Sequence, residues 1–207
     1  MNERLQKLQN ANFVKVYEIL EDDESYYIVM EYLENGTLYD NYCDADDEPL
    51  SEDNCRPIIF QVAQALDQLH QRMIIHRDIK LTNILIDNDS ISIKLADFGS
   101  AVQIETACGT VMTKAGTLGY YAPEILKGEE YGTQADIYSL GAMMYALLTF
   151  KLPFLSDKDL ASYKRGLTGN SKLDLTADPK LSNLSDKAKD LLSLMLEKDP
   201  SKRLSAR

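Results

Sequence analysis

Residues 74–100 read IIHRDIKLTNILIDNDSISIKLADFGS, and their first ten positions hold an aspartate, a lysine and an asparagine: Asp78, Lys80 and Asn83. Two short β-branched runs follow, joined by a polar turn, and the second run leads into Asp97. Such runs predict two short strands. Since side chains at the ends of neighbouring strands can converge, we expect a cluster of carboxylate, amide and ammonium groups there.

This set of groups is suited to phosphoryl transfer. Carboxylate and amide oxygens are ligands for Mg²⁺, which takes one or two protein carboxylates together with phosphate oxygens. Lys80 is placed to neutralise phosphate charge, and Asp78 to orient a hydroxyl and accept its proton. The tripeptides HRD and DFG are each weak evidence alone, since both arise by chance.

Composition excludes several classes of protein. The net charge of −11 and the pI near 4.7 argue against a nucleic-acid or anionic-membrane surface. Three widely spaced cysteines without a CxxC motif argue against structural zinc and a disulfide framework, which favours a reducing compartment. We expect a cytoplasmic protein, with the nucleus as the alternative. The acidic run 44–48 reads as a solvated loop, because the spacing and glycine of a calcium loop are absent.

The chain predicts a small β piece followed by a mostly helical body. Residues 3–9 resemble the end of a helix, and residues 13–20 and 26–32 read as a hairpin. The ENGT stretch, residues 34–37, marks a lobe boundary or hinge. A leucine followed by a serine cap predicts two helix starts, one helix from Ser51 to about Arg72 and one over residues 187–196. An almost wholly apolar run predicts a third helix over residues 133–149.

Five motifs follow one another in a fixed order. They are HRDIKLTN at 76–83, DFG at 97–99, APE at 122–124, DIYSLG at 136–141 and KDPSKR at 198–203. In this order they resemble the eukaryotic protein kinase family over nearly the whole chain. The resemblance implies an α+β, protein-kinase-like fold. Residues 34–207 would form a mostly helical large lobe whose last helix is incomplete. Residues 1–33 would be the remnant of a truncated small lobe, with the end of helix C, two strands and the hinge.

The resemblance also implies roles for the polar cluster. Asp78 is the catalytic base, Lys80 contacts the γ-phosphate, and Asn83 and Asp97 are the magnesium ligands. Lys80 together with Thr117 looks like the serine/threonine-specific type. The implied reaction transfers the γ-phosphoryl group of ATP, with Mg²⁺, to Ser or Thr hydroxyls of a protein substrate.

The same resemblance places the adenine of ATP. Met30 falls at the gatekeeper position, Glu31 and Leu33 in the hinge, and Leu85 beneath the adenine ring. Residues 187–203 look most like the calcium/calmodulin-dependent branch of the family. The sequence identifies no regulatory partner.

Structural contacts are implied as well. Asp136 would hydrogen-bond the backbone of the catalytic loop, and Glu124 and Arg203 would form a buried ion pair. Tyr138 replaces the tryptophan usual in the family. A regulatory spine would stack four side chains, for which ordinary core packing is the alternative: Leu5, Val16, His76 and Phe98.

Arg77 precedes the base, and in kinases of this type that arginine pairs with an activation-loop phosphate. The corresponding activation loop, residues 97–124, contains three threonines that could accept a phosphate: Thr106, Thr110 and Thr113. We take Thr113 as the first candidate, with an unmodified solvated threonine as the alternative.

The chain departs from the family at its beginning. No G-x-G-x-x-G stretch is present, and the only lysines ahead of the hinge, Lys7 and Lys15, lack the V-A-x-K context. The ion-pairing glutamate of helix C would fall at Met1, and Glu3 is out of register. Two hypotheses therefore stay open. The first is a serine/threonine kinase of which this chain alone is weakly active or inactive, and the second is a pseudokinase-like binding scaffold.

Overall fold

The computed structural model describes residues 11–42, 48–87, 92–106, 108–155, 160–169, 173–176 and 178–207. The helix end predicted at 3–9, the spine residue Leu5 and most of the acidic run 44–48 lie outside these ranges. The described strands are β1 Val16–Glu21, β2 Tyr26–Met30, β3 Ile74–Ile75, β4 Ile84–Ile86, β5 Ile93–Leu95 and β6 Val102–Gln103. The described α-helices are α1 Leu38–Tyr42, α2 Glu52–Gln71, α3 Pro123–Lys127, α4 Gln134–Thr149, α5 Leu160–Thr168 and α6 Asp186–Met195, and short 3-10 helices span Leu81–Asn83, Pro179–Leu181 and Pro200–Lys202.

Helix α4 forms the centre of the body, as its apolar sequence predicts. All of its residues from Ala135 to Thr149 are buried, and α2 and α6 pack against it. Gly141 allows the close approach of α6, because a Cβ at this position would lie 2.8 Å from Cβ of Met195. The core therefore lies in the helical part of the chain, and its centre is a helix without a polar face.

Helix α2 begins where the capping pattern predicts. The Ser51 side chain accepts a hydrogen bond from the Asn54 N–H, which satisfies one free donor of the first turn. The apolar periodicity of the segment predicts a buried face, and all of its residues are buried except Ala63, which is half-buried: Ile58, Ile59, Val62, Ala63, Leu66 and Leu69. Ala65, which was not predicted, is fully buried. Ser185 caps α6 in the same way by accepting from the Ala188 N–H.

The described strands form three antiparallel pairs: β1 with β2, β3 with β6, and β4 with β5. The β1–β2 hairpin is shorter than predicted, and all five residues of β2 are exposed. Backbone hydrogen bonds from Val14 N to Leu95 O and from Leu95 N to Asn12 O join the start of the hairpin to β5. This arrangement is the predicted α+β fold, a helical body with a small β hairpin at one side.

Candidate active site

Four predicted catalytic residues form one cluster around the Asp78 carboxylate. The Asp78 carboxylate accepts hydrogen bonds from the Thr117 hydroxyl at 2.6 Å and from the Asn83 amide at 3.1 Å. Lys80 Nζ lies 2.7 Å from Asp78 Oδ2 and donates to the Thr117 hydroxyl at 2.8 Å. Asn83 also donates to the Asp78 carbonyl at 2.8 Å, which closes the turn of the catalytic loop.

The surroundings of Asp78 favour its ionised form. Burial raises the pKa of this carboxyl, but the hydrogen bonds from Lys80, Thr117 and Asn83 and the charge of Lys80 lower it on balance. At neutral pH the group is therefore a carboxylate with a lysine and a hydroxyl beside it. Such a group can orient an alcohol and accept its proton.

A backbone hydrogen bond places the segment that carries Asp97 beside Asn83, the other predicted magnesium ligand. The Ala96 N–H, one residue before Asp97, donates to the Asn83 carbonyl at 2.9 Å. Asp97 is exposed, has a positive φ of 56°, and accepts a hydrogen bond from the Gly99 N–H at 3.1 Å. The Asn83 amide nitrogen is engaged by Asp78, so its amide oxygen is the atom that can ligate a cation.

The donor types at Asn83 and Asp97, an amide oxygen and a carboxylate, fit a small hard cation such as Mg²⁺. Among the residues that the structure describes, no three His, Cys, Asp or Glu side chains form a metal cluster. The assignment of these two ligands therefore stays a prediction.

Asp136 holds the backbone of the catalytic loop, as predicted. Its buried carboxylate accepts hydrogen bonds from the His76 N–H at 2.9 Å and from the Arg77 N–H at 2.8 Å. His70 adds a contact at 2.9 Å that the sequence did not suggest, because it lies 66 residues away. Burial raises the pKa of Asp136, but the hydrogen bond and charge of His70, with smaller contributions from His76 and Arg77, lower it on balance.

The Phe98 ring, next to Asp97 in the chain, makes edge-on contacts with two other rings. Phe98 packs edge-on against His76, with ring centroids 5.1 Å apart, and against Phe13, with centroids 5.9 Å apart. The His76–Phe98 contact agrees with the predicted spine. Phe13 was not predicted as a member of it, and Val16 is only half-buried.

The four residues predicted to contact the adenine do not all line the same cavity. Met30 lines a cavity of about 690 Å³ between the hairpin and Asp97-Phe98-Gly99. Glu31, Leu33 and Leu85 lie outside the lining of that cavity, and the Glu31 carboxylate is bound by Lys94 at 2.7 Å. Sequence reasoning missed Lys94, because the two residues are 63 positions apart.

The predicted ion pair between Glu124 and Arg203 is present and fully buried. Arg203 donates to both carboxylate oxygens, at 2.7 and 3.1 Å, and the two side chains are 2% and 0% exposed. Its guanidinium lies 5.1 Å from the ring centroid of Tyr138, the residue that replaces the family's tryptophan. The Tyr138 hydroxyl is buried and has no hydrogen-bond partner in the described part of the chain.

Arg77 reaches the activation loop. Its Nη1 donates to the Thr113 hydroxyl at 3.1 Å, whereas the Thr110 hydroxyl donates to the Glu130 carboxylate at 2.7 Å. A phosphate on Thr110 would face a like charge, and one on Thr113 would face a cation. Thr113 therefore stays our prediction for a phosphorylation site.

Comparisons with known proteins agree with this geometry. Residues 2–207 match the protein kinase domain family. The chain is 38% identical to serine/threonine-protein kinase cds1 of Schizosaccharomyces pombe, covering 97% of the chain and 44% of that protein. It is 35% identical to a probable myosin light chain kinase of Dictyostelium discoideum, covering 98% and 41%. It is 33% identical to human ribosomal protein S6 kinase alpha-3, covering 96% and 27%.

The chain thus spans less than half the length of these relatives. None of the helices that the structure describes combines the length and apolar character needed to cross a membrane. The matched family, the ordered motifs and the contacts around Asp78 lead to one conclusion: the chain belongs to the protein kinase domain family.

Proposed function

We propose that this chain is the catalytic part of a kinase that transfers the γ-phosphoryl group of Mg-ATP to serine or threonine hydroxyls of protein substrates. One observation carries the proposal: an ionised Asp78 lies in direct contact with Lys80, Asn83 and Thr117. A scaffold that only binds partners has no physical need for all of these groups. We keep the cytoplasm, with the nucleus as the alternative, as the proposed location.

Each residue of the cluster has a separate task. Asp78 orients the acceptor hydroxyl and takes its proton, while Lys80 places a positive charge next to the transferred phosphoryl group. Thr117 contacts both residues and fixes their relative positions. Mg²⁺ held by Asn83 and Asp97 would neutralise phosphate charge.

The hinge supplies backbone groups for a nucleotide. In the part of the chain that the structure describes, neither the Glu31 carbonyl nor the Leu33 N–H takes part in a backbone hydrogen bond. This pair of an acceptor and a donor can pair with one edge of an adenine. The side chain of Leu85 lies half-buried on β4 nearby, where Leu85 pairs with Thr37 of the chain just beyond the hinge.

The test is the transfer of labelled γ-phosphate from Mg-ATP to a generic basic protein. Because the printed sequence has no glycine-rich loop, we expect slow transfer by this chain alone. We expect rates on the order of 1–100 s⁻¹ when the glycine-rich strands of a relative precede it. In that longer chain Asp78→Asn should lower the rate at least about 100-fold. The matched control is Asp53→Asn, a carboxylate whose side chain is 85% exposed on α2.

Two outcomes would contradict the proposal. Equal rates for the longer chain and its Asp78→Asn variant would remove Asp78 from catalysis. A longer chain that folds and binds ATP but transfers nothing would favour the scaffold hypothesis. Transfer at a normal kinase rate by the printed chain alone would overturn our expectation about the glycine-rich loop.

A further inference from the structure

Glu31, the first residue after β2, has both carboxylate oxygens engaged. Oε1 accepts a hydrogen bond from the Lys15 N–H at 2.7 Å, and Oε2 accepts one from Lys94 Nζ at 2.7 Å. The Glu31 N–H donates to the Lys15 carbonyl at 2.9 Å. One side chain therefore connects the start of the hairpin, the hinge and the large lobe.

Lys94 presents its ammonium from the middle of β5. It is the cross-strand partner of Leu85 on β4, and partners in an antiparallel pair point to the same face of the sheet. The lysine therefore stands beside the residue predicted to lie beneath the adenine. Its side chain is 15% exposed, and Asp87 Oδ2 lies 3.5 Å from Nζ.

The charges of this group support one another. Burial lowers the pKa of Lys94, but the hydrogen bond and charge of Glu31 and the nearby Asp87 raise it on balance. Lys94 therefore stays protonated while it is bound to Glu31. Because both side chains are more than four-fifths buried, solvent screens this pair less than a surface ion pair.

Packing alone holds this end of the hairpin weakly. Residues of β2 are 43–68% exposed, so their apolar side chains gain little from burial. The chain then passes through residues 31–36 into the helical body, where the Gly36 carbonyl accepts from the Ile86 N–H at 2.9 Å. An ion pair at the start of this crossing restricts where the hinge backbone can lie.

We propose that the Glu31–Lys94 pair is a clasp that holds the hinge backbone in the position needed to bind the nucleotide. Glu31 and Lys94 are then positioning residues, and the adenine meets the Glu31 backbone rather than its side chain. The inference rests on the proposed function, since it concerns the same nucleotide site.

The experiment is a double-mutant cycle on the chain as it exists. Glu31→Gln keeps an acceptor for the Lys15 N–H but removes the charge, and Lys94→Met keeps the length of the side chain. Calorimetric titration with Mg-ATP should show each single variant binding about tenfold more weakly, with the double variant no weaker than either, as for a coupled pair. Lys94→Arg should recover part of the affinity. Arg56→Ala, on a side chain that is 65% exposed on α2, is the control and should bind as the native chain does.

Hydrogen exchange gives a second readout that needs no nucleotide. Exchange of the Glu31 N–H should become about tenfold faster in either single variant and no faster in the double variant, with Arg56→Ala unchanged. If the longer chain with the glycine-rich strands binds no Mg-ATP but exchange shows this pattern, the clasp stands and the nucleotide part of the proposed function fails. If exchange at Glu31 is unchanged, or if the two substitutions act additively on affinity, the clasp is overturned whether or not the protein is a kinase. Thermal unfolding of each variant shows that it is folded.

Discussion

The catalytic loop and the β1–β2 hairpin differ in how their residues are held. Five of the eight residues from His76 to Asn83 are buried, and the loop is bound by Asp136, Thr117 and its own side chains. Every residue of β2 is exposed, although the strand consists of Tyr, Ile, Val and Met. A loop whose only regular part is the short 3-10 helix Leu81–Asn83 can thus be better fixed than a regular hairpin, because buried polar contacts hold it on several sides.

The difference also separates two kinds of stabilisation. The helical body has a buried core around α4, whereas a two-stranded hairpin is marginal without further strands or a packed face. We expect the free energy of unfolding to depend on the body and only slightly on the hairpin. Three predictions test this expectation.

The strongest effect is expected at the buried ion pair of the body. Arg203→Met leaves the Glu124 carboxylate buried without its partner, which should lower the free energy of unfolding by about 3–5 kcal/mol. Denaturant titration measures the change. The control is Lys202→Met, because Lys202 is 71% exposed and solvent screens its pair with Asp199, which should contribute little to stability. Similar losses in both variants would mean that burial does not set the strength of these pairs.

Two isoleucines compare the regions directly. Ile84 on β4 is 0% exposed and Ile28 on β2 is 52% exposed. Ile84→Ala should lower the free energy of unfolding by about 2–5 kcal/mol, because it leaves a cavity in the core. Ile28→Ala should cost less than about 1 kcal/mol, since little packing is lost. Equal costs in urea titrations would show that the hairpin is packed as firmly as the body.

A smaller effect is expected from pH. Burial lowers the pKa of His76 below its usual value of 6.5, despite the opposing charges of Asp136, Asp78 and Asp97. The unfolded chain takes up a proton as the pH falls through 6.5, while the folded chain stays neutral at His76. The contribution of neutral His76 to the free energy of unfolding is therefore complete above pH 6.5. It is lost as the pH falls towards the lower pKa that His76 has in the folded chain.

His76→Phe keeps an aromatic ring against Phe98 and removes this titration. Between pH 7 and 5.5 the native chain should lose more stability than the variant, by at most about 1.4 kcal/mol per pH unit for one proton. Thermal or denaturant unfolding at several pH values measures the two slopes. Identical slopes would exclude His76 as the source and would point to other groups of the body.

Local patterns in the sequence predicted several elements well. Ser51 and Ser185 mark helix starts, because a serine cap satisfies a free N–H within its own first turn. The apolar run 133–149 predicted a buried helix, since such a segment has no polar face to turn to water. The pairing of β3 with β6 was not predicted. Each of these strands has only two residues, and its hydrogen-bond partner is the other strand, which lies far away in the sequence.

The candidate site divides in the same way. Asp78, Lys80 and Asn83 lie within six residues, so the sequence alone predicted that they form one cluster. Thr117 was identified through family resemblance, and the structure places it 2.6 Å from Asp78 across 39 positions. Lys94 and His70 were missed. A lysine in a strand and a histidine at the end of a helix show no pattern until their partners, Glu31 and Asp136, are brought near.

The sequence by itself determined the family, the starts of two capped helices and the buried central helix, and it predicted which groups would react, because these depend on residue types and short spacings. Only the tertiary structure decided which charges are paired, which hydroxyls and carboxylates touch, and how weakly the hairpin is packed. The physical reason is that burial and charge pairing depend on distances between residues remote in the chain. Folding sets those distances by packing the helices around α4.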